Sequence, residues 1–465
     1  MKKRINRKFL LVAVGLLSPL FNVQCPLFTV HCSMVNVQWS TVNAQRQWSL
    51  DECVQYAIDH NINIQQRAID LQQKQNDLNT AKNDWMPTLS AVGAQRFSFG
   101  NAYASTGSMP SSPDSYSADL SYTNATVELD MPIFDGFRRI NKKRAAHWSV
   151  EQATANLATA RKNLSIQIAT YYLQVLYEKG MMEVAQSQVE TSRKLCDKTR
   201  KLVDDGKNPQ SDLADAEAEL ATNEYDLTVS RGRYQMALLT LSQLLNLETV
   251  EGFAIQDVAD EQLINAAIHN PTQLYTDIVE AYPSIVAGKA EVEKSKFDIA
   301  TARAGYYPTV DFKASLNSYY LNLFHQSHNK ELFGQLWNNK SEVVGLHFNV
   351  PIFNHFQTRD NIRKAKMQLL NSQLALDDSR QRLRKDIDQA YYDALNARDK
   401  YLSAQKSQEA SQLSYRYESD KYEAGRSTSY DLTQATQRLR KAQENAVQAK
   451  YEFIIRQMIL DIYAK

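Results

Sequence analysis

The sequence predicts a mainly α-helical protein with a smaller β component: long antiparallel helical hairpins, plus four strands per copy that close into a barrel only with other copies. Three observations predict it. Residues Ile352 to Ala424 contain neither proline nor glycine and are ended by Gly425. As one helix, at 1.5 Å rise per residue, that run would be about 110 Å long. This exceeds both a globular domain and the hydrocarbon core of a bilayer, so it needs neighbours along its length. The chain also repeats itself at an offset of about 220 residues, and its short extended stretches alternate between apolar and polar residues.

The chain starts with Lys2, Lys3, Arg4, Arg7 and Lys8 ahead of the apolar run Phe9 to Leu17. This charge-then-hydrophobe order marks a secretory leader. Val42-Asn43-Ala44 offers small residues for cleavage, so we expect a signal peptide over 1–44 and a mature start near Gln45. Cys25 and Cys32 fall in the leader, and neither follows the Leu-Ala-Gly type of approach that precedes a lipid anchor. Only Cys53 and Cys196 remain, too far apart in sequence to form a disulfide framework. Lys and Arg number 53 against 52 Asp and Glu, a net charge of +1. That balance gives no field for nucleic acid. Beyond the leader no stretch has eighteen consecutive apolar residues, so a membrane crossing has to be a closed barrel.

The repeat organises the rest. Ile64 to Leu89 aligns without a gap on Ile285 to Val310, placing Trp85-Met86-Pro87-Thr88 on Tyr306-Tyr307-Pro308-Thr309. Met131-Pro132-Ile133-Phe134 then matches Val350-Pro351-Ile352-Phe353, Tyr171-Tyr172 matches Tyr391-Tyr392, Gly206 matches Gly425, and Asp212-Leu213 matches Asp431-Leu432. Offsets kept within two residues over such a length mark a duplicated unit. The expected organisation is a first repeat over 45–246, an inter-repeat segment over 247–281 that wraps outside the bundle, and a second repeat over 282–465.

Within the first repeat, Leu50 to Trp85 reads as helix, ended by Pro87. Thr88 to Phe99 and Asp119 to Met131 read as strands around the Gly/Ser/Pro-rich stretch Gly100 to Ala118. Phe137 to Asp205 and Asp212 to Asn246 form a hairpin that reverses at Gly206. Its seam is Leu213, Ala216, Leu220, Leu227, Tyr234 and Leu241. In the second repeat Ile362, Ala365, Leu369, Ser372, Leu376, Ser379 and Leu383 take alternating three- and four-residue steps. After one extra step of four, Ile387, Ala390, Ala394, Ala397, Tyr401 and Ala404 resume the pattern, a stutter in a coiled-coil seam. Leu432, Ala435, Leu439, Ala442, Ala446, Ala449 and Phe453 form the returning helix's seam.

Val310, Phe312, Ala314 and Leu316 alternate with Thr309, Asp311, Lys313, Ser315 and Asn317. On the return, Val344, Leu346, Phe348 and Val350 alternate with Gly345, His347 and Asn349. About ten residues is the length of a spanning barrel strand. Trp85, Tyr306, Tyr307, Phe134 and Phe353 gather at one end of the strands, as an interfacial aromatic belt does. Four strands cannot close around a lumen, and two copies would make eight, filled by side chains. Three copies supply twelve and leave a passage.

These residues resemble the TolC family of outer-membrane efflux proteins over nearly all of the mature chain. The resemblance is carried by the duplicated unit, the Trp85 to Leu89 and Tyr306 to Val310 stretches, the Pro-Ile-Phe stretches at Pro132 and Pro351, and the hairpin tips Asp205-Gly206 and Tyr422-Glu423-Ala424-Gly425. It implies a homotrimer with a twelve-stranded β-barrel in the outer membrane and a trimeric α-barrel tunnel across the periplasm. It also implies docking on a periplasmic adaptor that links the channel to an inner-membrane pump. Pro87, Pro132, Pro308 and Pro351 then mark the entrances and exits of the barrel, and Gly206 and Gly425 the adaptor-docking tips. Tyr422 falls where the family holds its resting aperture shut, and Asp431 falls where an acidic residue lines the constriction. Gln434 stands where the family's namesake has a second acidic residue, and Ser427 where it has a basic one. Apart from the resemblance, three copies of Asp431 at a narrow opening would attract cations, and a helix-start carboxylate on the positive end of its helix is an equal reading of the same residue.

No phosphate-binding glycine loop, catalytic carboxylate pair or nucleophile elbow appears, so neither an enzyme nor a cofactor is expected. His325-Gln326-Ser327-His328 has no third metal ligand in evident reach and reads as a surface loop. Arg138, Arg139, Lys142, Lys143 and Arg144, just past the first barrel exit, read either as a headgroup contact or as a solvated helix face. The expected function is an exit duct for small molecules in a tripartite efflux system. Alternatives are a type I protein-secretion outlet, a metal-ion efflux duct and, from another class, a periplasmic coiled-coil scaffold.

Overall fold

The computed structural model describes residues 47–99, 120–257, 270–324 and 331–464. The expected leader, the stretch Gly100 to Ala118 and the pair His325 and His328 lie outside them. A two-residue strand β1 (Gln47–Trp48) leads into α1 (Leu50–His60). Ser49 and Glu52 close a capping box at its start, with 3.2 Å from Glu52 N to Ser49 Oγ and 3.1 Å from Ser49 N to Glu52 Oε2. One helix is expected from Leu50 to Trp85, and two are found, because Asn61 is extended and its side chain accepts from Asn63 N at 2.9 Å, starting α2 (Ile62–Asn83). Asparagine offers the backbone this alternative to a continuing helix.

The first repeat continues with β2 (Thr88–Ser98), β3 (Leu120–Phe134), α3 (Arg138–Asp204) and α4 (Gln210–Leu244). Asn246, at φ 56°, closes α4 as a glycine would, its amide bonding Gln243 O and that of Leu247 bonding Ser242 O. After β4 (Ala254–Ile255) and α5 (Pro271–Ile278), the second repeat runs through α6 (Pro283–Arg303), β5 (Thr309–Leu323), α7 (Leu332–Asn338), β6 (Ser341–Asn349), α8 (Gln357–Glu423) and α9 (Ser429–Ala464). The helix α7 is absent from the sequence reading.

Each long helix, α3 and α8, has 67 residues, about 100 Å of helix. Towards the strands, α2, α3, α6 and α8 pack side by side in that order. Away from them, α3 pairs with α4, α8 with α9, and α9 lies against α3, joining the hairpins. The seam residues are the shielded ones. Leu383, Ile387, Ala390, Ala394 and Ala397 on α8 are buried, as are all seven from Leu432 to Phe453 on α9.

The largest core lies at mid-height, where Cys53, Ala57, Leu241, Leu245, Phe253 and Ile454 surround Ile168 to Leu176 of α3. Here β1 and β4 pair in parallel, and the Tyr172 hydroxyl donates to Trp48 O at 2.9 Å and to Gln256 O at 2.5 Å. Tyr172 therefore does more than pack: it ties Trp48 of β1 and Gln256 beside β4 to α3. Burial, with Glu52 close by, pushes the Cys53 thiol up to about 12, which leaves it inert.

Candidate functional site

The four long strands form one antiparallel sheet in the order β2-β3-β5-β6. Its register sorts side chains into rows. Leu89, Leu129, Ala314 and Val344 form one cross-sheet row, and Met131, Phe312 and Leu346 the next. The opposite face carries Thr88, Asp130 and Lys313, with Lys313 Nζ 3.0 Å from Asp130 Oδ2. Leu89 is 71% exposed, Val344 69% and Phe348 63%, an apolar surface that water would not leave bare. β2 pairs only with β3 and β6 only with β5 among the described residues, so both margins of the sheet keep unpaired backbone groups.

Pro87 and Pro308 immediately precede β2 and β5, and Pro351 follows β6. Pro132 lies two residues inside the end of its strand rather than beyond it. β3 continues past it to Phe134, with a register shift between the two. Pairing with β2 ends at Asp130, so past it β3 is held extended by β5 alone, and an edge or a bulge is where a sheet tolerates proline. Beyond each Pro-Ile-Phe stretch the chain turns into a long helix through two residues at positive φ: Gly136 at 67° and Phe137 at 65°, then His355 at 54° and Phe356 at 61°. For this reason α8 starts at Gln357 rather than at Ile352.

At the far end both hairpins close alike. Gly206, at φ 71°, donates to Val203 O at 2.9 Å, and Lys207 N to Leu202 O at 2.8 Å. Gly425, at φ 70°, donates to Tyr422 O at 3.1 Å, and Arg426 N to Lys421 O at 2.9 Å. Both are Schellman closures, where left-handed backbone favours glycine. No atom lies within 4 Å of the point where a Cβ would stand on either glycine, so both tips face open space.

Within one copy no hydrogen bond joins Tyr422, Asp431 and Gln434 to one another. The Tyr422 ring lies under Lys198 Nζ of α3, 5.5 Å from its centroid, and its hydroxyl is buried without a hydrogen bond. It borders a cavity of about 300 Å³ between the hairpins that also touches Leu195, Tyr415, Leu432 and Thr436. Asp431 is exposed and serves a capping box, accepting from Thr428 Oγ1 at 2.7 Å while Thr428 Oγ1 accepts from Asp431 N at 3.2 Å. Gln434 donates to Tyr430 Oη at 2.6 Å and accepts from Arg438 at 3.1 Å.

Sequence reasoning missed the residues that join the tips. Lys198 reaches Glu423 at 3.3 Å, and Glu418 accepts from Ser427 across the turn. The Ser427 hydroxyl, then Lys421, hold the Glu418 carboxyl below its usual range. Also missed was Asn223, 1% exposed on the α4 seam, which donates to Ser192 at 2.6 Å and accepts from Arg440 of α9 at 3.4 Å. The gap between Leu220 and Leu227 was its available signal. Among the described residues no three His, Cys, Asp or Glu side chains are placed to hold a metal, and no helix is long and apolar enough to cross a membrane.

A sequence model of the outer membrane efflux protein family matches residues 53–247 and 274–461, both repeats. The chain belongs to that family. Its relatives include the outer membrane efflux protein BepC of Brucella suis, 22% identical over 330 residues, which are 71% of this chain and 69% of BepC. The pyoverdine export outer membrane protein OpmQ of Pseudomonas aeruginosa is 23% identical over 347 residues, 72% and 67% of the two chains. The outer membrane protein VceC of Vibrio cholerae shares the fold at a TM-score of 0.70 and 14% identity, covering 89% of this chain and 95% of VceC. As an outer membrane efflux protein, this chain has the TolC-like fold, acts as a transport duct rather than an enzyme, and resides in the outer membrane.

Proposed function

We propose that three copies assemble into one conduit, a twelve-stranded barrel continued by a helical tunnel, and that the conduit is the exit of a tripartite efflux system for small molecules. The observation that carries this reading is the sheet with two bare margins and continuous apolar rows. In hydrocarbon every backbone group needs a partner, so such margins have to meet those of like copies. The outer helices of the row support it with unpartnered apolar side chains, Ile62 and Ile69 on α2 and Met367, Leu370 and Leu374 on α8. Eight strands would leave no passage, whereas twelve do.

In this reading the tips at Gly206 and Gly425 receive a periplasmic adaptor coupled to an inner-membrane pump. Tyr422, Asp431 and Gln434 border the aperture, Asp431 facing its two copies across the threefold axis, and the four prolines mark where chain enters and leaves the barrel. The name of OpmQ, a pyoverdine exporter, favours a small organic cargo over a secreted protein. Single-channel recording in planar bilayers, with the mass of the particle in mild detergent, tests the proposal. Trimer mass and steady conductance are expected, with block by trivalent cations weakened in Asp431→Asn. A monomer that conducts unaided would overturn the assembly, and unchanged block in the variant would remove Asp431 from the constriction.

A further inference from the structure

A groove of about 520 Å³ runs between α2 and α3 just below the sheet. Its walls are Leu78, Trp85, Ile140 and Trp148, all half-buried, and its rim carries Lys82, Lys143, Arg144 and His147, all exposed. Trp85 stands three residues before β2, and Lys143 and Arg144 stand within ten residues of the end of β3. At 1.5 Å per helical residue the rim cations lie within about 15 Å of the end of β3, which their long side chains shorten further.

Cations outnumber carboxylates here. From Arg138 to Val150 there are five Lys and Arg and no Asp or Glu; in sequence Asp84 adjoins Trp85 and Glu151 follows Trp148 by three residues, and Asp135 is paired with Arg139 at 3.2 Å. Lys82, Lys143 and Arg144 have no ion pair among the described residues; Arg144 stacks over Phe297 at 5.6 Å. The second repeat repeats this at the same height: Arg359, Arg363, Lys364 and Lys366 face a single carboxylate, Asp360, between Gln357 and Leu376. A neighbouring copy offering its α8 to the edge helix α2 would bring cations to cations. The groove therefore calls for an anion with an apolar tail.

We propose that this groove binds an anionic phospholipid of the periplasmic leaflet, its phosphate on Lys82, Lys143 and Arg144 and an acyl chain between Trp85 and Trp148. The proposal rests on the reading of the sheet as the membrane-crossing wall. Aromatic walls at the interface and a cationic rim are the pairing that anionic lipid surfaces select.

The test is native mass spectrometry of the full assembly with phosphatidylglycerol, phosphatidylethanolamine and inorganic phosphate as separate probes, together with quenching of tryptophan fluorescence by phosphatidylglycerol brominated on its acyl chains. Saturable retention of phosphatidylglycerol is expected, with weaker retention of phosphatidylethanolamine and none of phosphate. Replacing Lys82, Lys143 and Arg144 by alanine should weaken retention roughly fivefold per cation, on the order of a hundredfold together, and Trp85→Phe combined with Trp148→Phe should remove most of the quenching. Lys207→Ala at the tip is the control. Equal retention by the triple variant, equal retention of both lipids, or quenching by aqueous iodide in place of the brominated chain would overturn the site. Conductance of the triple variant should match that of the parent. A parent that fails to conduct would sink the channel reading and leave the lipid result standing on its own.

Discussion

The two hairpin tips have the same backbone and different fastenings. Both reverse through a Schellman closure on glycine, at φ 71° and 70°. Past the first glycine, α4 starts at Pro209, which offers no side-chain cap, and Asn208 reaches forward to Asp212 at 3.0 Å. Past the second, Thr428 and Asp431 cap α9 reciprocally, Ser427 bonds back to Glu418, and Lys198 of the first hairpin leans on Tyr422 and Glu423. Duplication preserved the path of the chain while the bonds that secure it diverged. The turn itself is fastened by more side-chain bonds in the second tip than in the first, so polar changes there should loosen it more.

The strand-to-helix junctions make the same contrast, and there the largest effect is expected. A Cβ on Gly136 would stand 2.7 Å from Tyr307 Cβ and 2.9 Å from Ala304 O, on backbone already at φ 67°. Gly136→Ala should cost roughly 2–5 kcal/mol, read as a lower urea midpoint of the purified protein. Its counterpart His355→Gly should change stability by less than about 1 kcal/mol, because relief of left-handed strain offsets added chain freedom. Equal losses at both sites would show that the junctions are not distinguished by packing.

A smaller effect separates the caps. Thr428→Ala should weaken the start of α9 by about 1 kcal/mol, seen as faster amide hydrogen exchange there, whereas Pro209→Ala should shift α4 by a few tenths at most. Matching changes would mean that the capping box contributes nothing beyond the closure itself.

The smallest expected effect is on pH. Glu418 has a folded-state pKa below its ordinary 4.5, first through Ser427 and then through Lys421. Its contribution is therefore present above that ordinary value and lost as pH falls through the depressed one. Protection of the amides at the turn between α8 and α9, relative to their intrinsic exchange rates, should fall on acidification below about 4.5, and Glu418→Gln should abolish that dependence. A pH profile untouched by the substitution would place the sensitivity elsewhere.

How much was legible in the sequence follows from what kind of interaction wrote it. The seams of α8 and α9 could be read because burial repeats every three or four residues, and nearly every residue so picked is shielded. The strand faces could be read because alternation survives in Val310 to Leu316 and Val344 to Phe348. The break at Asn61 was hidden, since a polar side chain bonding its own backbone leaves no periodic trace. So was α7, where Gln335 takes the place of a strand by donating to Leu321 O and accepting from Leu321 N. At the site, glycine and proline announced the turns. Lys198, under which Tyr422 lies, and Ser427, bonded to Glu418, stand on another helix or across a turn, at spacings no local pattern encodes.

The bare margins of β2 and β6 bear on how the protein is made. In the proposed assembly a newly exported copy carries two rows of unsatisfied amides and carbonyls and a greasy surface that like copies finish covering. Its arrival in the membrane should therefore depend steeply on how many copies are waiting, with solitary molecules held back in the periplasm. Expression level, more than folding of the individual chain, would then set how many conduits a cell possesses.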